Sequence, residues 1–126
     1  MDATVFASSE MGLVAAILAS AQGDYAGARR LEERVLEVRT RVLGEAHPDT
    51  LMSMNNLAAT LRAQGDHAGA RRLQERVLEA MTRVLGEEHP DTLMSMNNLA
   101  LTLAAQGDHV GARRIQERVL EVRTRV

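Results

Sequence analysis

Apolar residues recur along the chain at intervals of three and four, and two such stripes fall within each 42 residues. Leu51, Met54, Leu57, Ala58 and Leu61 form one stripe, which places them on a single face of a helix. Ala70, Leu73, Val77, Met81 and Val84 form the next and predict a second amphipathic helix with that face buried. Gln64-Gly65-Asp66 separates them: the glycine ends one helix and the aspartate can cap the following one. Pro48 suits a helix start because its missing N–H is not needed there, and Asp49 suits the positive end of the helix dipole. Arg71 and Glu75 form an i,i+4 pair on the polar side. Gly86 stops the second helix before another His-Pro corner, and no segment reads as a strand. The expected fold class is all-α.

The pattern repeats. His47-Pro48-Asp49-Thr50 returns as His89-Pro90-Asp91-Thr92, and Gln22-Gly23-Asp24 returns at Gln64 and at Gln106, always at an offset of 42. The 126 residues divide into units 1–42, 43–84 and 85–126 of a single domain. The second and third units are identical at 35 of 42 positions, differing at 46/88, 59/101, 62/104, 68/110, 73/115, 80/122 and 81/123. Residues 21–42 match the second unit at 18 of 22 positions, whereas earlier residues align only after a shift of one. The first helix therefore reads as a diverged copy with one extra residue near Ser20, and residues 1–7 as an N-terminal extension without fixed structure. One amphipathic hairpin cannot bury its apolar face alone, so such units stack as an α-solenoid of helix-turn-helix repeats.

Composition narrows the function. The net charge of −2 offers no basic surface for nucleic acid, and the only aromatics, Phe6 and Tyr25, leave no stacking platform. Cysteine is absent, which removes thiolate catalysis and Cys-based metal sites. His47 and His89 lie one unit apart, as do His67 and His109; stacked repeats would separate them by about 10 Å, too far to share an ion. No serine stands in a triad context and no glycine-rich loop cradles phosphate, so neither an enzyme nor a bound cofactor is expected. Residues 11–19 form a short apolar run, but acidic Asp2 and Glu10 precede it instead of cations. It is too short to span a bilayer, so it reads as a buried terminal helix of a cytoplasmic protein, with secretion the minor alternative because Ala19-Ser20-Ala21 follows as a small-residue cleavage pattern.

Met54-x-x-Leu57-Ala58-x-x-Leu61, followed by Gln64-Gly65-Asp66, Ala70, Val77 and Leu78, resembles a tetratricopeptide repeat. The longer period, with Leu85-Gly86 and His-Pro-Asp-Thr, is similar to the 42-residue variety of kinesin light chains. The resemblance covers residues 21–126 well and 8–20 loosely. Several aromatics usual in the family are replaced here: Met54 and Leu61 stand in the first helix, Gln74 in the second, and His67 and His109 where Tyr25 is retained. The resemblance implies three hairpins in a right-handed superhelix. It also implies that first-helix residues line a concave groove for extended peptides.

In this sequence that stripe is Met52, Asn55, Ala59 and Arg62, with Asn56 at its edge, and Met94, Asn97, Asn98 and Leu101 in the third unit. Asparagine offers both donor and acceptor to a peptide backbone, and methionine a soft apolar surface that tolerates varied partners. Within positions 50–64 the second and third units differ only on this stripe, Ala59 becoming Leu101 and Arg62 becoming Ala104. Arg62 favours an acidic ligand residue. The plainer alternative is that the asparagines merely solvate an exposed helix. A protein or peptide partner is thus expected, with a structural self-assembly unit as the other reading. The last helix supports a homo-oligomer, since Ile115, Val119, Leu120, Val122 and Val126 are expected to face water without a following repeat.

Overall fold

The computed structural model describes residues 14–125, and six helices account for most of those described residues. They are α1 (14–21), α2 (Tyr25–Leu43), α3 (Pro48–Ala63), α4 (His67–Leu85), α5 (Pro90–Ala105) and α6 (His109–Arg125). No strand occurs among the described residues. The expected N-terminal extension at residues 1–7 lies outside them, as do Met11, Leu13 and Val126. Two compact units divide at Asp66, with α1 to α3 in the first and α4 to α6 in the second.

Each Gln-Gly-Asp corner does two jobs. Gly65 sits at φ +85°, a conformation that costs glycine little, while Gly65 N–H donates to Arg62 O and Asp66 N–H to Leu61 O at 2.8 Å. The residue after the glycine then caps the following helix: Asp24 Oδ1 accepts from Gly27 N–H and Asp108 Oδ1 from Gly111 N–H, both at 2.9 Å. Glycine at the third helical position leaves room for that carboxylate. A Cβ on Gly111 would stand 2.5 Å from Asp108 Oδ2, and one on Gly27 would collide with Asp24 in the same way. At the other corner the starts of α3 and α5 are capped by histidine. His47 Nδ1 accepts from Asp49 N–H at 3.1 Å and His89 Nδ1 from Asp91 N–H at 3.0 Å, with proline at the first helical turn.

In the first unit α2 packs along α3, and Val35, Leu51, Met54, Ala58 and Leu61 are buried. In the second unit α5 packs against both α4 and α6. Leu93 and Met96 meet Val119 and Val122 there, while Leu99, Ala100 and Leu103 meet Ala112, with Leu78 and Ile115 against both groups.

Three sequence expectations are corrected. The first helix carries no extra residue near Ser20. Its end repeats the corner geometry at the plain offset of 42, with Gly23 N–H donating to Ser20 O and Asp24 N–H to Ala19 O. Ala16 is buried opposite the equivalent Ala58, while Val14, Ile17 and Leu18 are more than half exposed, so α1 is not a buried helix. In α4 the stripe turns: Gln74 and Ala80 are buried and Val84 is exposed, because the end of this long helix runs beyond the apolar contact. In α6, Val119 and Val122 do not face water, since α5 of the same chain covers them and Ile115 packs there too. Leu120 alone of that group is largely exposed among the described residues, at 67%.

Candidate functional site

The first-helix stripe lies on open or partly open surface in both units. Met52, Met94 and Leu101 are at least half exposed and Ala59 is exposed, whereas Asn55, Asn56, Asn97, Asn98 and Arg62 are half-buried. Helical geometry explains the division. Leu51, Met54, Leu57, Ala58 and Leu61 take the buried face, so positions 52, 55, 59 and 62 fall together on the side turned away from it. Met52 in the first unit, and Met94 and Leu101 in the second, thus present apolar surface beside half-buried amides.

Part of the stripe opens into a cleft of about 460 Å³ in the first unit. Asn56 and Ala59 of α3 form one wall, and Ala16, Ile17 and Ser20 of α1 the other. Ala21, Glu32 and Thr60 also line it. Glu32 is only 8% exposed and accepts a hydrogen bond from Thr60 Oγ1 at 2.5 Å. Burial pushes the Glu32 carboxyl above the usual carboxylate range, and the Thr60 hydroxyl, which favours the ionised form, opposes this. Seven residues along α2, Arg39 is buried as well. Its guanidinium donates to Ser53 Oγ at 2.8 Å and to Asp49 O at 3.0 Å.

In the second unit the stripe meets a different cleft, of about 410 Å³, formed by Met94, Asn97, Leu93, Pro90, Glu88 and Arg123. The nearby corner is held by a forked ion pair: Arg118 donates to Glu87 Oε1 at 2.5 Å and to Glu87 Oε2 at 2.9 Å. Arg118 holds the Glu87 carboxyl below its ordinary value. The structure thus brings Asn56 with Ala59, and Met94 with Asn97, to clefts within their own units.

Sequence reasoning missed Ile17, Ser20 and Glu32. The first two were hidden by the mistaken one-residue shift; at the plain offset they stand opposite Ala59 and Arg62. Glu32 was legible as one of four substitutions between residues 21–42 and 63–84, where the buried equivalent is Gln74. Among the described residues no three His, Asp or Glu side chains are grouped to hold a metal, and no helix is long and apolar enough to cross a membrane.

Paired helices, glycine corners at a fixed 42-residue spacing and an exposed first-helix stripe define a helical-repeat protein. The chain belongs to the tetratricopeptide-repeat family, whose model matches residues 7–80 and 53–125. It is similar in structure to a candidate kinesin light chain of Podosopora anserina with nearly identical TPR-like repeats, at TM-score 0.84 and 27% identity over 98% of this chain. BtubC from P. vanneervenii superposes with TM-score 0.84 at 22% identity over 94% of this chain, which speaks for the fold alone. The TPR domain of Arabidopsis FLU does so with TM-score 0.77 at 15% identity, covering 93% of this chain and 95% of that domain. The chain spans 58% of the Podosopora anserina chain and 46% of BtubC. No curated protein matches the sequence significantly. The repeat fold is that of protein-interaction scaffolds.

Proposed function

We propose that the protein is a non-enzymatic scaffold whose first-helix stripe binds a peptide or protein segment, at Met52, Asn55, Asn56, Ala59 and Arg62 and at Met94, Asn97, Asn98 and Leu101. The observation that supports this reading most is the exposure of Met52, Met94 and Leu101 beside half-buried asparagines. An extended ligand would gain backbone hydrogen bonds from the amides and apolar contact from the methionines. Arg62 would pair with an acidic residue of the segment. The proposed setting is the cytoplasm, since acidic rather than basic residues precede the apolar run; export of a reporter fused after residue 126 would refute that. Peptides selected from a randomised library on the folded chain should shift the methyl resonances of Met52, Met94 and Leu101. Hits that leave all three unmoved would reject the site.

A second reading, self-assembly, is favoured by the 67% exposure of Leu120 on α6 and by exposed Ile17 and Leu18 on α1. The equivalent of Leu120 in α4, Leu78, packs against α5, so Leu120 is the position from which a further helix could be held. Light scattering at tens of micromolar, compared with Leu120→Glu, tests it. A 13.8 kDa monomer would reject this reading.

A further inference from the structure

We propose that the cleft between α1 and α3 seats a cationic side chain, arginine or lysine, of the bound segment, with the Glu32 carboxylate as its counter-charge. This rests on the groove reading and adds the ligand's chemistry to it. Glu32 is almost wholly buried yet reaches the lining of a cleft of about 460 Å³, a volume within the range of ligand pockets. A carboxylate offers about four acceptor sites, and among the described residues Thr60 is its hydrogen-bond partner. A buried charge without a countercharge is costly, and among the described residues no cation lines the cleft. The nearby cation of the same helix, Arg39, donates to Ser53 and to the carbonyl of Asp49.

Packing does not require the charge, because the same helical position in α4 is a buried glutamine, Gln74. The walls fit the rest of such a side chain: Ala16, Ile17 and Ala59 are apolar and can cover its aliphatic stem, while Ser20 and Asn56 can accept hydrogen bonds. Burial also lifts the carboxyl above its ordinary range, the state that an incoming cation would relieve. An acidic or purely apolar side chain would leave Glu32 without a countercharge.

The test is selection of a randomised peptide library on the folded chain and on Glu32→Gln, followed by binding of synthetic hits. Wild-type hits should carry arginine or lysine at one fixed position. Replacing that residue by citrulline or norleucine should weaken binding about tenfold. Glu32→Gln should cost a similar factor, and the two losses should not multiply. Hits without a basic preference, or losses that do multiply, would overturn the cation seat and leave the groove reading in place. A library that yields no hits on the wild-type chain would overturn both. The citrulline and norleucine comparison needs no protein variant, so it decides even if Glu32→Gln fails to fold.

Discussion

The seam between α2 and α3 and the seam between α4 and α5 are built on the same frame with different chemistry. The receiving helices present the same residues: Ser53 and Thr60 in α3, Ser95 and Thr102 in α5. What faces them differs. In the first seam Arg39 reaches Ser53 and the carbonyl of Asp49, and Glu32 takes the hydroxyl of Thr60. In the second, Met81 stands at the arginine position, with Ser95 Oγ 3.0 Å from its sulfur. Gln74 stands at the glutamate position with Oε1 buried and without a hydrogen-bond partner; Thr102 keeps the bond to the carbonyl of Asn98 that Thr60 also makes to that of Asn56, but has no carboxylate beside it. The receiving helix thus tolerates either partner set. Apolar contacts such as Leu78 against α5 fix the helix, while the polar positions are free to diverge. The first seam ties charge down by hydrogen bonds; the second avoids charge and leaves an amide unmet.

Breaking the first seam at its buried cation should have the largest effect. Arg39→Ala removes two donors and leaves Ser53 and the Asp49 carbonyl underbonded, for an expected loss of about 2 kcal/mol in urea denaturation. Arg39→Met, which copies the second seam, should cost distinctly less, since Met81 already fits against serine at the equivalent place. Equal losses for the two variants would mean that the seams are not interchangeable frames.

The next effect concerns Glu32 and carries a sign. Its carboxyl is raised in the folded protein, so the native state binds more protons than the unfolded chain between the ordinary and the raised value. Stability from this group therefore falls as pH rises through that window. Glu32→Gln should stabilise the fold at neutral pH by up to about 1 kcal/mol, and the gain should vanish at acid pH. A gain independent of pH would show that the carboxylate's burial is not its cause.

The smallest effect belongs to the half-buried Glu87–Arg118 pair, with the opposite sign. Glu87 is lowered in the folded state, so its contribution is present above the ordinary carboxylate value and is lost as pH falls through the lowered one. Glu87→Gln should lower the melting temperature slightly at neutral pH and not at all in strong acid. Added salt should shrink the difference.

How far the sequence carried these contrasts depended on the kind of signal. The helices, their glycine stops and their 42-residue spacing were legible because each rests on local rules: period, capping and positive φ. His47 and His89 were read as corner residues, but their capping role was not, since histidine is an uncommon cap and its Nδ1 geometry appears only in the fold. The burial of Val119 and Val122 was misjudged because their cover, Leu93 and Met96, comes from a helix more than twenty residues away. A helical stripe says that a face is apolar, not which neighbour takes it. The cleft at Glu32 was invisible for a related reason: it needs α1, α2 and α3 in place together. The error in the register of α1 then hid two of its residues.

The central claim is that the first-helix stripe grips a peptide, and the asparagines test it most directly. Fluorescence anisotropy should be measured with a labelled peptide selected on the wild-type chain, against wild type and the double variant Asn55→Ala plus Asn97→Ala. Both side chains are half-buried and face away from the packed side of their helices, so circular dichroism should be unchanged. The account predicts affinity at least about tenfold weaker for the double variant, from the loss of two sets of amide hydrogen bonds. Unchanged affinity in a folded double variant would contradict it.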